Sequence, residues 1–225
     1  MHKYTIIVAG GSGSRFGSTI PKQFTLLCGK PILMHTINAF HNYDKDMKIV
    51  VALPSEHITL WNDLCTQYDF KIKHHIVEGG QNRFGSVKNA LASITEADGL
   101  VAIHDGARPL VTQRCIDEGF KTAERCDTAV PTVPITDSIR MLDRKGSHMI
   151  DRDSLVAIQT PQIFNLRLLK TAYTTPFSPT FTDDASVVEF RGTEITLYSG
   201  DFENIKITHP TDVKTAELIL SERNE

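Results

Sequence analysis

A glycine-rich segment near the start of the chain combines a permissive backbone with fixed positive charge. It reads A-G-G-S-G-S-R-F-G at 9–17 and continues to P-K-Q at 21–23. Glycines allow backbone amides to approach a phosphate closely, and Arg15 and Lys22 add two cations. The segment therefore favours a cradle for a triphosphate, although a flexible turn with solvated basic side chains would have a similar composition. The backbone positions that we expect to line the cradle are Ala9, Gly10, Gly11 and Gly13.

Two familiar phosphate-binding motifs do not fit this segment. Phe16 occupies the last glycine position of a dinucleotide-binding G-x-G-x-x-G motif. Gly29-Lys30 is followed by Pro31, where a P-loop needs serine or threonine. These spellings argue against a nicotinamide-dependent reductase and against a P-loop enzyme.

A second segment, G-G-Q-N-R-F-G-S-V at 79–87, leads from a strand-like run into a helix-like one. A helix N-terminus with a serine and free amides could read the edge of a base or hold an anion. We therefore expect Gly80, Arg83 and Ser86 to contact a nucleotide, although an ordinary capped turn would share this pattern.

A third segment, H-D-G-A-R-P at 104–109, follows an apolar strand-like run. Asp105 could hold a hard cation such as Mg²⁺, while Arg108 could pair with that carboxylate or orient phosphates. We expect Asp105, Gly106 and Arg108 to belong to the nucleotide site. A purely structural ion pair is the alternative. The position at the carboxyl end of a strand favours the functional interpretation.

Further polar groups lie late in the chain, in Asp151-Arg152, T-P-Q at 160–162, T-D-D-A-S at 182–186 and N-I-K-I-T at 204–208. Lys206 lies inside an apolar, strand-like run, where a lysine is costly unless it faces a cavity or an anion. A binding role is therefore expected for Lys206, whereas Arg152 beside a hairpin would ordinarily be solvated.

Alternating strands and helices must position these loops. Uninterrupted apolar runs predict strands at 4–9, 49–53, 72–77 and 100–103. Helical spacing predicts helices after Pro31, after an N-cap at Ser55, from Val87 to Ile94, and on Val213, Ala216, Glu217 and Leu220. This order predicts an α/β fold in a single domain over 1–225: a Rossmann-like, mostly parallel sheet with helices on both faces. In such a sheet, ligands bind beyond the carboxyl ends of the strands.

The rhythm changes at 137–153, a segment that we call the arm. Two short strand-like stretches, 138–142 and 148–151, flank the turn-prone R-K-G at 144–146. A projecting hairpin this short cannot bury a core of its own, so packing on a second subunit is its simplest stabilisation. We therefore expect a homodimer.

Composition limits the partners. The 225 residues are 40% hydrophobic and 23% charged, with a net charge of −3. This balance is typical of a globular protein, and it favours a small anionic partner over nucleic acid. No apolar run is long enough for a membrane span, and no C-x-x-C or H-E-x-x-H spacing indicates a zinc site. The cysteine pattern and the lack of a signal-like start predict a cytoplasmic protein with reduced thiols.

Together these segments resemble the 2-C-methyl-D-erythritol 4-phosphate cytidylyltransferase family of the non-mevalonate isoprenoid pathway. The similarity runs nearly end to end and rests on A-G-G-S-G-S-R, P-K-Q, G-G-x-x-R-x-x-S-V, H-D-G-A-R-P, T-P-Q, T-D-D-A-S and N-I-K-I-T. Three positions depart from common family spellings, namely Ser14, Gln81 and Ser138, and none of them removes a charge that the reaction needs.

The resemblance implies a nucleotidyltransferase that joins the CMP part of CTP to the phosphate of methylerythritol phosphate, with Mg²⁺ and release of pyrophosphate. It implies that Arg15 and Lys22 stabilise the transition state at the α-phosphate, with Asp105 and Arg108 beside the triphosphate and the metal. It assigns the acceptor to Ser138, Arg152, Thr182 and Lys206. It also implies a homodimer with exchanged arms, in which Arg152 and Ser138 reach the neighbouring site.

Ribitol-5-phosphate cytidylyltransferases share A-G-G-x-G-x-R, P-K-Q-F and N-I-K-I-T with this chain and are the nearest alternative. The G-G-x-x-R-x-x-S-V and H-D-G-A-R-P spellings are closer to the methylerythritol family. A non-catalytic nucleotide sensor is a more remote alternative, because this chain also contains cations expected to bind an acceptor and a sensor does not need them.

Overall fold

The computed structural model describes residues 1–11, 21–144 and 146–223. Its strands are β1 Lys3–Val8, β2 Leu26–Leu27, β3 Lys30–Pro31, β4 Lys48–Leu53, β5 His75–Glu78, β6 Leu100–Asp105, β7 Thr128–Pro134, β8 Arg140–Asp143, β9 Gly146–Met149, β10 Val156–Ile158, β11 Gln162–Asn165 and β12 Leu197–Ser199. Its α-helices are α1 Ile32–Tyr43, α2 Ser55–Gln67, α3 Arg83–Ser93, α4 Gln113–Cys126, α5 Leu166–Ala172, α6 Asp184–Glu189 and α7 Pro210–Glu222. Short 3₁₀ turns occupy Lys22–Phe24 and Arg152–Ser154.

Within the described residues, eight strands form the main sheet. The order is β10-β7-β11-β6-β1-β4-β5, and β12 pairs with β7 as well. The β6-β1-β4-β5 half is parallel, whereas β11 runs antiparallel between β6 and β7. The predicted α/β fold with a mostly parallel sheet is confirmed.

Helices cover both faces of this sheet because adjacent residues of each central strand point to opposite sides. Ile7 and Val51 pack in a core with α1, α2 and α4. Their chain neighbours Ile6 and Val50 pack in a second core with α3, α5 and α6. Strands that are apolar at every position are therefore required, which explains the uninterrupted apolar runs in the sequence.

The parallel strands end together at one edge. Val8, Leu53, Glu78 and Asp105 are the last residues of β1, β4, β5 and β6, and Val8 is directly in register with Asp105. The glycine loop, the 79–87 segment and the 104–109 segment all leave the sheet at this edge, as the strand order predicted.

Three local predictions were wrong. Ser55 is the first residue of α2 and makes no capping hydrogen bond, because Pro54 occupies the N-cap position. The strand predicted from residue 72 begins only at His75, after an irregular stretch in which Ile72 packs against the core. The N-I-K-I-T segment is not a strand: it is an irregular connection whose Ile207 N–H donates to the Ala107 carbonyl at 2.9 Å.

The predicted hairpin of the arm is present. Strands β8 and β9 pair antiparallel, with Arg140 opposite Met149, and every residue of both strands is exposed. Arg140 donates hydrogen bonds to the hydroxyl and carbonyl oxygens of Ser147, both at 2.8 Å. Elsewhere, none of the helices in the described ranges is long and apolar enough to cross a membrane.

Candidate active site

A cavity of about 200 Å³ opens at the carboxyl edge of the sheet. It brings together segments that are far apart in the sequence: the glycine loop, the Lys22 turn, the start of α3, the end of β6 and the Lys206 connection. Of the predicted site residues, those that line it are Ala9, Gly10, Gly11, Lys22, Gly80, Arg83, Ser86, Asp105 and Lys206. Arg15, Gly13 and the departure at Ser14 lie outside the described residues.

The 79–87 segment closes one wall of the cavity. Asn82, not Ser86, caps α3, since its side chain accepts from the Gly85 N–H at 2.8 Å. The Ser86 hydroxyl accepts from the Gly80 N–H at 3.1 Å and donates to the Asn82 carbonyl at 3.0 Å. A Cβ on Gly80 would lie 2.6 Å from the carbonyl carbon of Gly85, so only glycine allows this approach. Ser86 therefore shapes the loop whose backbone faces the cavity.

The turn at Lys22–Phe24 closes another wall. Buried Gln23 donates to the Ala9 carbonyl at 2.8 Å, which fixes the turn against the end of β1. Lys22 Nζ donates to the Ile207 carbonyl at 3.2 Å, and a Cβ on Gly11 would lie 3.7 Å from its Cε. Lys22 thus spans the space between the glycine loop and the Lys206 connection.

Asp105 is the electrostatic centre of the cavity. Its Oδ2 lies 2.8 Å from Lys206 Nζ and 3.5 Å from Arg108 Nε, and its Oδ1 lies 3.6 Å from Arg83 Nε. Burial would raise the pKa of this carboxyl, but the three cations outweigh burial and hold it well below its usual range. Asp105 is therefore a carboxylate at every physiological pH.

Arg108 joins this cluster from behind. Its side chain is only 12% exposed, and its Nη1 donates to the Asn204 carbonyl at 2.7 Å. Burial lowers the pKa of Arg108, an effect that Asp105 opposes. Asn204 is itself buried and donates to the Thr160 carbonyl at 2.8 Å. The T-P-Q and N-I-K-I-T segments thus brace the end of β6.

His104 fixes the backbone of Asp105. The buried imidazole contacts the Arg108 carbonyl through Nε2 at 3.0 Å and the Thr160 hydroxyl through Nδ1 at 3.1 Å. Burial lowers the pKa of His104 to about 4, so the ring is neutral at pH 7. An Nε2–H that donates to the carbonyl leaves Nδ1 to accept from Thr160, whose oxygen accepts from the Asp105 N–H at 3.1 Å.

Arg83 has a second carboxylate partner that the sequence did not single out. Its Nη2 lies 2.6 Å from Oδ2 of the fully buried Asp184. Burial alone would lower the pKa of Arg83, but Asp184 and then Asp105 raise it above its ordinary value. The resemblance assigns Thr182 of the T-D-D-A-S segment to the acceptor. In the structure Thr182 is exposed and does not line the cavity, whereas Asp184 of the same segment contacts Arg83.

The other predicted acceptor residues lie away from this cavity within the same chain. Arg152 is 49% exposed on the 3₁₀ turn at the base of the arm, and its Nη1 donates to the Thr136 carbonyl. Ser138 is exposed at the start of the arm. Gly106 lies just behind the wall, where a Cβ would meet the Ala9 side chain at 3.0 Å.

Comparison with known proteins identifies the family. The family model described as IspD, 2-C-methyl-D-erythritol 4-phosphate cytidylyltransferase, matches residues 4–222. An enzyme of that name from Azobacteroides pseudotrichonymphae is 49% identical over 97% of this chain and 98% of its own length. Another, from Bacteroides thetaiotaomicron, is 46% identical over 98% of this chain and 100% of its own length.

Solved structures agree with the sequence matches. The Francisella tularensis 2-C-methyl-D-erythritol 4-phosphate cytidylyltransferase superposes with a TM-score of 0.81 at 30% identity, covering 97% of this chain and 99% of that one. The Thermus thermophilus enzyme of the same name gives a TM-score of 0.78 at 28% identity, covering 97% and 98%. The resemblance drawn from the motifs is confirmed, and the chain belongs to the 2-C-methyl-D-erythritol 4-phosphate cytidylyltransferase family.

Proposed function

We propose that the chain transfers the cytidylyl group of CTP to the phosphate of 2-C-methyl-D-erythritol 4-phosphate and releases pyrophosphate. The observation that carries this proposal is the cavity at the carboxyl edge, where glycine backbone meets an excess of positive charge. Among the described residues, the lining contains the cations Lys22, Arg83 and Lys206 and the single carboxylate Asp105. The formal charges of these lining side chains sum to +2, which suits the phosphate groups of a nucleotide and its acceptor.

The reaction requires that the acceptor phosphate be positioned and that the charge on the α-phosphate be neutralised. The acceptor phosphate is a monoester with a second pKa near 6, so it is ionised at pH 7 and needs no strong general base. One of its oxygens attacks the α-phosphorus of CTP in line, and the bond from that phosphorus to the β-phosphate oxygen breaks as the new bond forms. Negative charge on the α-phosphate is then neutralised by Lys22 and, as the resemblance implies, by Arg15.

Lys206 is placed to exchange one anionic partner for another during the reaction. Its side chain is 43% exposed and lines the cavity, and its ammonium lies 2.8 Å from Asp105, so it faces both the carboxylate and the open cavity. An acceptor phosphate offers the same ammonium a second anionic partner. We assign Lys206 to the acceptor and the backbone of Gly10, Gly11 and Gly80 to the nucleotide.

Mg²⁺ fits this site as a companion of the triphosphate. Asp105 is the carboxylate that lines the cavity, and the described residues contain no cluster of three His, Cys, Asp or Glu side chains that could enclose a metal. Mg²⁺ is commonly held by one or two carboxylates together with substrate phosphates, so Asp105 is the side chain that would hold it. When bound, the metal withdraws negative charge from the phosphate oxygens.

A homodimer through the arm would complete the acceptor site. Leu142 and Met149 on the arm are 79% and 74% exposed, and the edge strand β10 exposes Val156 and Ile158. Apolar side chains on an unpaired edge favour association with a second copy. Because Arg152 does not line the cavity of its own chain, we propose that it and Ser138 serve the neighbouring subunit.

Subunit mixing tests that arrangement. Arg152→Ala and Lys206→Ala chains are each expected to have little activity alone when the acceptor concentration is far below their raised KM. Unfolded together and refolded, they should regain about a quarter of wild-type activity, since half of the dimers are mixed and each contains one intact site. No recovery in mixed dimers verified by sedimentation would place Arg152 in the site of its own chain.

The cysteines bear on location. All four are free thiols, and Cys28 and Cys126 are exposed. Exposed thiols persist in reducing compartments, which supports the cytoplasm as the location that we propose.

Pyrophosphate release by the purified protein with CTP and Mg²⁺ tests the function itself. Turnover is expected with methylerythritol 4-phosphate and not with ribitol 5-phosphate. Lys22→Ala should lower kcat by roughly 10² or more, the scale of one lost transition-state donor. Lys30→Ala, at an exposed lysine nearby in the chain, is the matched control and should keep wild-type kcat. Activity with ribitol 5-phosphate alone, or with neither acceptor, would overturn the proposal.

A further inference from the structure

Arg83 is held mainly from outside the cavity. Its guanidinium contacts two carboxylates at unequal distances: Asp184 Oδ2 at 2.6 Å through Nη2 and Asp105 Oδ1 at 3.6 Å through Nε. Asp184 is fully buried and does not line the cavity. The closer contact of Arg83 is therefore with a carboxylate that lies outside the cavity.

Both carboxylate oxygens and the backbone N–H of Asp184 have partners. Tyr173 donates its hydroxyl to Oδ1 at 2.6 Å, while Oδ2 faces Arg83. The backbone N–H groups of Asp184 and Ala185 both donate to Gln162 Oε1, at 3.1 and 2.9 Å. Gln162 opens β11, whose residues pair with β6, so this anchor is tied to the strand that carries Asp105.

Aromatic side chains surround the buried, Asp184 side of this contact. Phe84, the next residue after Arg83, stacks on the Tyr173 ring with centroids 4.7 Å apart, and it stacks on Phe181 at 5.8 Å. Burial, followed by the charge of Asp184, raises the pKa of Tyr173 well above its ordinary value, so its hydroxyl stays a donor. A charge-assisted hydrogen bond to a fully buried carboxylate has a well-defined geometry.

Asp184 is the nearer of the two carboxylates that contact Arg83. Without the Asp184 carboxylate, the nearest anion to Arg83 is Asp105, which already has Lys206 and Arg108 as partners. Arg83 would then move toward Asp105, and both the cavity wall and the carboxylate expected to hold the metal would change. We propose that Asp184, locked by Tyr173, is a positioning residue that sets the place of Arg83 and thereby the affinity of the site for CTP.

This inference rests on the proposed function, and kinetics and binding together test it. Asp184→Asn should raise the KM for CTP about tenfold or more, with the acceptor KM within a factor of two, because a charge-assisted pair to Arg83 is lost. Calorimetric titration of CTP into the same variant should show the same loss. If the wild-type protein shows no turnover, the proposed function is refuted. Titration of CTP into wild type and Asp184→Asn still tests the inference in that case.

Asp183→Asn is the matched control, since it changes the adjacent carboxylate. Asp183 caps α6 and accepts from Gln162 at 2.8 Å, but it has no contact with Arg83 among those described. If Asp184 only stabilises α6, Asp183→Asn and Asp184→Asn should lower the affinity for CTP equally. That result would overturn the proposal.

Two further variants keep the test decisive. In an Arg83→Met background, Asp184→Asn should not weaken CTP binding any further, since Asp184 acts through Arg83. Additive losses would contradict the proposal. If Asp184→Asn does not fold, Tyr173→Phe decides: loss of one hydrogen bond to Asp184 should weaken CTP binding roughly threefold, and unchanged binding would overturn the proposal.

Discussion

Replacing Asp105 with asparagine tests whether this one carboxylate holds the site together. Three cations contact Asp105, but they do not depend on it equally. Arg83 keeps Asp184 as a partner, and Lys206 is exposed enough to be solvated. Arg108 is 12% exposed and keeps only the Asn204 carbonyl among its described side-chain partners. The cost of Asp105→Asn should therefore come mainly from Arg108.

The magnitude follows from that asymmetry. Removing one partner of a buried ion pair costs about 3–5 kcal/mol. The remaining bond to Asn204 places the expected loss at the lower end, about 3 kcal/mol in the free energy of unfolding. For a chain of this size, each kcal/mol shifts Tm by about 2–4 °C, so Tm should fall by roughly 6–12 °C.

Urea unfolding followed by circular dichroism measures this loss. Asp98→Asn is a suitable control, because Asp98 and Arg167 form an exposed pair that should contribute less than about 1 kcal/mol. The double variant Asp105→Asn/Arg108→Met should recover most of the stability, since no buried cation is then left unpaired. It should remain inactive, since the carboxylate proposed for the metal is absent.

Two results would refute this reasoning. A loss below about 1 kcal/mol in Asp105→Asn would mean that water or another group solvates Arg108 where the structure shows burial. A double variant no more stable than Asp105→Asn would mean that the cost does not arise from Arg108.

Three other predictions follow from the same geometry. Lys206→Ala should raise the KM of the acceptor at least tenfold and that of CTP much less, and the reverse pattern would contradict its assignment to the acceptor. Gly80→Ala should weaken CTP binding and lower Tm, because its Cβ would lie 2.6 Å from the Gly85 backbone; Gly10→Ala, whose Cβ would lie 3.8 Å from Ser86 Oγ, should leave Tm unchanged. Burial lowers the pKa of His104 from its ordinary value of 6.5 to about 4 in the folded protein, so its share of stability is present above pH 6.5 and is lost as pH falls toward 4, by about 2 kcal/mol at pH 5. Urea unfolding in metal-free buffer should show this loss in wild type and not in His104→Gln, and parallel losses would contradict the lowered pKa.

The central strands could be predicted because burial on both faces leaves a local signal. β1, β4 and β6 are apolar at nearly every position, and the loops that follow them contain the glycines and charges of the site. The antiparallel strand β11 leaves no such signal. It has four residues and begins with a buried glutamine, and its place between β6 and β7 depends on pairing with residues distant in the chain.

The cations were easier to predict than their partners. Lys206 was recognised because a lysine in an apolar run needs an anion, and the structure supplies Asp105 at 2.8 Å even though the run is not a strand. Asp184 could not be assigned to Arg83 in this way, because 101 residues separate them and neither segment is unusual when considered alone. Local pattern indicates that a charge requires a partner, and only the fold determines which one.

The charge balance of the site also explains how the protein can fold before substrate arrives. Asp105 contacts Lys206 and Asp184 contacts Arg83, while Ile207 and Asn204 offer carbonyl oxygens to Lys22 and Arg108. A phosphate or a metal ion can replace the contacts of Lys22 with Ile207 and of Lys206 with Asp105, whereas the contacts of Arg83 with Asp184 and of Arg108 with Asn204 lie behind the cavity. The first set can exchange with ligand while the second set keeps the walls in place. Ligand binding can therefore replace the contacts of Lys22 and Lys206 without disturbing those behind the cavity, and the net positive formal charge of the lining residues attracts CTP and its acceptor.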